Sequence, residues 1–192
     1  VYPEKDMELC FNTQYAIRST KQLPGANPMN ETLNDTLAIA IGAERACEKL
    51  FHGLEAKFAA YPDLAAFWHQ YAMDEVGHAN WLEKLRARLT PSQLGEPVDS
   101  QVVEMMQAVS DFSVEGALSH VKNLEDAYQL VTDVENGETN AIFKFLLDHI
   151  ETDDALRIFI RNQLGKHVAK LALELPTQYK GSLARRVILA AF

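Results

Sequence analysis

Asp74-Glu75-Val76-Gly77-His78-Ala79-Asn80-Trp81-Leu82 decides how this chain is read. Glu75 and His78 stand three apart, the interval that puts two side chains on one face of a helix. Working outward, Tyr71, Ala72, Glu75, His78, Ala79 and Leu82 share one stripe at 3–4 spacing. The carboxylate and the imidazole therefore face the same way as the apolar residues, inward. At that spacing a carboxylate and an imidazole can bind one metal cluster. Glu44 is placed similarly in the preceding helical pattern, between Ile41 and Phe51 on a stripe that includes Leu37 and Phe58.

Breakers divide the chain. Leu23-Pro24-Gly25-Ala26-Asn27-Pro28-Met29-Asn30, Tyr61-Pro62-Asp63 and the stretch 90–100 carry the prolines and glycines of turns. Glu151-Thr152-Asp153-Asp154 offers N-cap chemistry. Between these breaks the periodicity is helical and predicts four long helices, over 31–60, 63–89, 118–150 and 153–175. A short helix is expected at 101–110. Residues 1–30 read as an N-terminal extension and 176–192 as a tail whose end, 182–192, forms a short amphipathic helix docked on the bundle or on a partner subunit. Two tight helical hairpins joined by one long crossover have the connectivity of an all-α, ferritin-like four-helix bundle.

Counting from the turns tests whether the polar residues share a level. With the first turn centred near residues 61–62, the residue opposite Glu44 lies near 79, so Glu75 and His78 fall within roughly 6 Å of its height. With the second turn centred near 152, Glu135 faces a residue near 169 and Glu138 one near 166, with His167 between them. The interval from Glu44 to His78 is 34 residues and that from Glu135 to His167 is 32. This reads as a duplicated hairpin with a Glu on its first helix and a His on its second. Four carboxylates near one level of a core repel one another, and an uncompensated buried charge costs several kcal/mol. Protons or a metal cation must neutralise them.

The segment 38–85, with Ala40-Ile41-Gly42-Ala43-Glu44 and the stretch from Asp74 to Leu82, resembles the first hairpin of the rubrerythrin family within the ferritin-like superfamily. Glu135-Asn136-Gly137-Glu138 is similar to that family's third-helix Glu-x-x-Glu, and His167 sits where its fourth-helix Glu-x-x-His ends. The resemblance covers roughly 31–175. It implies Glu44, Glu75, His78, Glu135, Glu138 and His167 as ligands of two irons. In that scheme Glu44 and Glu135 are terminal or bridging, Glu75 bridges, His78 is a terminal nitrogen ligand, and Glu138 moves with redox state. It further implies a non-haem di-iron oxidoreductase that acts on peroxide or oxygen, or that oxidises and binds iron, with an external electron donor and a homodimeric assembly.

The departures are specific. Leu164 stands where the fourth-helix Glu belongs, and Gln163 is the nearest polar side chain. Phe51 and Phe143 stand where the family often carries tyrosines near its metals. No paired Cys-x-x-Cys exists for a rubredoxin-like iron domain, since the cysteines are Cys10 and Cys47. One iron rather than two is expected if the site is incomplete, and Mn or Zn suits the same donors. The competing reading is a degenerate bundle with a partial metal site or none, acting as a binding or structural protein. His52, His69, His120 and His149 read as helix-face or turn histidines, and Gly42, Gly77 and Gly165 as points of close helix approach.

Composition narrows the classes. A content of 47% hydrophobic and 23% charged residues is that of a folded domain, not a disordered one. A net charge of −9 gives no electrostatic footprint for nucleic acid or for an anionic membrane. No apolar run reaches the roughly 18 residues of a membrane span. With only two cysteines, in unrelated contexts, a reducing, cytoplasmic setting is expected.

Overall fold

The computed structural model describes residues 32–98, 112–150, 158, 162 and 169–189, leaving aside the side chains at 138–144 and 146–149. Helix α1 (Leu33–Lys57) begins where the sequence supplies both halves of a capping box. Asp35 N–H donates to Thr32 Oγ1 at 3.3 Å, and Thr32 N–H donates to Asp35 Oδ2 at 3.1 Å. These bonds satisfy donors that would otherwise be orphaned, and the Thr32 hydroxyl, donating to Asp35 Oδ2 at 2.7 Å, followed by Thr32 N–H, holds the Asp35 carboxyl below its ordinary pKa. After a turn at 59–61, α2 (Pro62–Arg88) starts on a proline whose missing N–H costs nothing there. A short helix α3 (Pro91–Leu94) follows, capped by Thr90 and Gln93. It was not foreseen, because prolines and glycine over 90–100 mask a single helical turn.

The third long helix differs from its expected bounds. Instead of one rod from 118, there are two helices, α4 (Val114–His120) and α5 (Leu124–His149). Asn123 makes the break, its Oδ1 accepting from Asp126 N–H at 3.0 Å, while Asp126 Oδ2 accepts from Lys122 N–H at 2.8 Å. Such side-chain caps compete with continued helix. Beyond α5, residues 169–174 are helical, where the fourth helix is expected. A 3-10 turn (Thr177–Tyr179) and α6 (Ser182–Val187) close the description. The short helix expected at 101–110, the extension 1–30 and most of 153–168 lie outside the described residues. Among the described residues every helix or turn of helix is joined by coil, and the only β pairings are two isolated bridges, Thr32 with Pro97 and Asn123 with Leu189.

The tail docks on the bundle itself. Arg185 is buried, its Nε donating to Glu125 Oε2 at 2.5 Å and its guanidinium lying 3.9 Å from the centre of the Tyr128 ring. Tyr179 Oη donates to Asp63 Oδ1 at 3.1 Å, tying the 3-10 turn to the start of α2.

The interior is two apolar clusters. One holds Cys47, Leu50, Phe51 and Leu54 of α1 with Phe58 at its end, Leu64, Phe67, Trp68, Tyr71 and Ala72 of α2, and Leu124, Ala127, Leu130 and Val131 of α5. The other holds Leu33, Leu37, Ala40 and Ala43 of α1, Leu82 and Leu85 of α2, and Phe145 of α5. Each large side chain taken fully out of water contributes about 1.5–3 kcal/mol. All three helices pass from one cluster to the other over a short stretch: between Ala43 and Cys47, between Ala72 and Leu82, and between Val131 and Phe145. Buried carboxylates stand in those gaps: Glu44, Glu75 and Glu135.

The glycines correct one expectation. A Cβ at Gly42 or Gly77 would meet nothing within 4 Å, so neither marks close approach. The tight contact is at Gly53, where a Cβ would fall 2.3 Å from Leu118 Cδ1 of α4. Gly165 lies outside the described residues.

Candidate metal centre

Glu44 sits in the α1 gap, Glu75 and His78 in the α2 gap, and Glu135 in the α5 gap. Glu44, Glu75 and Glu135 are 4%, 3% and 7% exposed, which is rare for carboxylates. His78 is partly covered. Its Nδ1 lies 3.1 Å from Glu75 Oε2 on the same helix and 3.4 Å from Glu44 Oε2 on the neighbouring one. One ligand atom from each of Glu44, Glu75 and His78 falls within a 4.8 Å group. The three donors thus converge across the α1–α2 interface.

A protonated His78 can offset one of these charges, whereas a divalent cation can offset two. Two carboxylate oxygens and one imidazole nitrogen form a donor set suited to Fe, Mn or Zn. The residues present therefore fit a metal on their chemistry, their burial and their convergence.

The outer charges do not compete for this place. Arg45 turns away, donating to Glu48 Oε2 at 3.1 Å and to Asn80 Oδ1 at 2.9 Å, and it lies 3.5 Å from Glu83 Oε1. Glu48, one turn beyond Glu44, is therefore engaged on the outer face. Cys47 is buried in the larger apolar cluster.

Two residues of this region were given no site role from the sequence, although Tyr71 lies on the inward stripe with Glu75 and His78. Tyr71 is wholly buried, and its phenol pKa is raised, first by burial and then by the negative charges of Glu135, Glu75, Glu174 and Asp74. Its ring packs against Phe51, with centroids 4.6 Å apart. A phenol thus enters from α2 against the phenylalanine that replaces the expected first-helix tyrosine. The available signal was its place four residues before Glu75, on the same helical face. Lys170 is buried, pairs with Asp74, and places its Nζ 4.4 Å from the centre of the Tyr71 ring. That pairing joins positions 96 apart in sequence and leaves no local pattern.

Glu135 is buried on α5 but lies outside the group of Glu44, Glu75 and His78, and the remaining sequence-predicted ligands are not brought into view. Glu138 lies on α5 one helical turn after Glu135, but its side chain is not described. His167, Gln163 and Leu164 fall outside the described residues.

The family model for Rubrerythrin matches residues 35–153. No curated protein matches the chain. Among solved structures, a Thermotoga maritima protein assigned as ferritin-like and diiron-carboxylate is similar, with a TM-score of 0.53 and 17% identity over 78% of this chain and 94% of that one. The likeness places the described helices in an all-α, ferritin-like bundle. With most of its length matched by the family model, including Glu44, Glu75, His78 and Glu135, the chain belongs to the Rubrerythrin family.

Proposed function

We propose that this chain is a non-haem di-iron oxidoreductase that acts on peroxide or oxygen, or that oxidises and binds iron. A metal-binding protein of the diiron-carboxylate class is what the family and the fold support. The observation that carries the proposal is the buried convergence of Glu44, Glu75 and His78, with a third buried carboxylate, Glu135, on α5.

Glu44, Glu75 and Glu135 would hold metal through carboxylate oxygens, and His78 through Nδ1, the ring nitrogen that faces both Glu44 and Glu75. Glu138 and His167 complete the proposed set. When bound, two ferrous irons supply the two electrons that reduce peroxide to water. The chain's own residues do the rest. The apolar clusters on either side exclude water and lower the local dielectric, which strengthens each carboxylate–cation interaction. Tyr71 stays a neutral phenol, since its raised pKa keeps the proton on Oη. It can therefore offer a hydrogen to an oxygen anion without adding charge to an already acidic layer. A homodimer, an external electron donor and a cytoplasmic setting belong to the same proposal. No described helix is long and apolar enough to cross a membrane.

The test is single turnover. Protein loaded with ferrous iron without oxygen is mixed with one equivalent of hydrogen peroxide per iron pair, and peroxide loss is followed beside ferric absorbance. Prompt loss of one peroxide per pair, absent in Glu44→Ala, supports the proposal. Iron that binds but stays ferrous would contradict the peroxide reading. Protein that binds no iron would return the choice to a degenerate, non-enzymatic bundle.

A further inference from the structure

A second group of ligand-type side chains lies on the outside of the α1–α2 hairpin. Glu55 Oε2 is 2.8 Å from His52 Nδ1 and 3.2 Å from His69 Nδ1. The imidazole centroids are 5.8 Å apart, with their planes inclined at 56°. One ligand atom from each residue falls within a 4.8 Å group. His52 and Glu55 are three apart on α1, so one face presents both, while His69 comes from α2. At 1.5 Å per residue, His52 and Glu55 lie roughly 12–16 Å along α1 from Glu44. They are too far away to share its metal.

We infer that His52, Glu55 and His69 form a second, surface metal site that takes a single divalent transition-metal ion of the zinc type. Two imidazoles and one carboxylate are a three-ligand set for tetrahedral zinc, with the fourth position left to water. Around such an ion, ligand atoms about 2.0–2.1 Å from the metal sit about 3.3–3.4 Å from one another. The carboxylate–imidazole separations here are shorter by a few tenths of an ångström, which a small side-chain rotation opens. Imidazole donors select against calcium and magnesium, which prefer oxygen cages. Both histidines are exposed and Glu55 is half-buried, so the site is open to a solvent ligand. The hydrogen bonds from both histidines hold the Glu55 carboxyl below its ordinary pKa, so it is anionic at neutral pH. The chain's net charge of −9 draws cations to it. Because the ligands come from both helices, an ion here clips α1 to α2 near their connecting turn.

The test is a zinc titration of the full-length chain by calorimetry and equilibrium dialysis, on the parent, His52→Gln/His69→Gln and Glu44→Gln/Glu75→Gln. The surface double variant is expected to bind one zinc fewer per chain than the parent. The buried double variant is expected to keep that ion and its affinity, and zinc is expected to raise its melting temperature. If the surface variant binds as many zinc ions as the parent with unchanged affinity, the two histidines serve only as ion-pair partners of Glu55 and the inference fails. The parent and the surface variant decide the matter even if the buried variant does not fold. Loss of the buried site leaves this result untouched.

Discussion

His78 Nδ1 faces Glu44 Oε2 at 3.4 Å across two helices, from positions 34 apart in the sequence. The contact exists because the turn at 59–61 folds α2 back along α1 with little slippage. Levels counted from the turn therefore survive as real distances. It places an imidazole beside two nearly inaccessible carboxylates, an arrangement that favours a cation more than it favours the empty fold.

The metal-free protein should accordingly be limited by its own site. Glu75→Gln keeps the shape of a side chain that is 3% exposed and removes a buried charge. In excess chelator the variant is expected to melt higher than the parent, by about 2–8 °C for a gain of about 1–2 kcal/mol. Divalent metal should raise the parent's melting temperature more than the variant's. A variant that melts lower than the parent in chelator would contradict this.

Tyr71 offers a pH test. Its folded pKa is raised above the unfolded value of about 10, so the folded state keeps a proton that the unfolded state gives up. The stability contributed by the neutral phenol is whole below about pH 10 and falls as pH rises beyond it. In a phenolate absorbance titration, native parent and Tyr71→Phe should give equal amplitudes up to about pH 11. In denaturant they should differ by one tyrosine. A native difference near pH 10 would show that Tyr71 ionises normally.

The helical glycines sort by their surroundings. Gly42→Ala and Gly77→Ala meet open space and should each stabilise by about 0.5–1 kcal/mol. Gly53→Ala must displace Leu118 and should gain less or lose outright. Urea melts of the three single variants check the order.

The docked tail gives a paired comparison. Arg185→Ala strands Glu125 and uncovers the Tyr128 ring, and should cost about 2–3 kcal/mol. Arg186→Ala, at an exposed position next door, should cost less than about 0.5 kcal/mol. Equal effects in urea would mean that the tail does not depend on the Arg185 contacts.

What the sequence disclosed was what local periodicity and turn position encode. Glu44, Glu75 and His78 were readable because each interrupts an apolar stripe without leaving it. The break between α4 and α5 was not, because Leu118, Val121 and Leu124 keep helical spacing straight through it and only the Asn123 cap betrays the stop. Lys170 beside Tyr71, and His69 beside His52, depend on how neighbouring helices are rotated about their axes, which no single stripe specifies. Gly42 and Gly77 misled because a helical glycine signals a small side chain, not what faces it.

The most direct test of the central claim is iron content after anaerobic ferrous loading, measured by elemental analysis and optical spectroscopy on the parent and Glu75→Ala. The account predicts about two irons per parent chain, or about one if the fourth helix contributes no ligand, with a marked loss of iron and an altered spectrum in the variant. Equal iron and an unchanged spectrum in Glu75→Ala would contradict it.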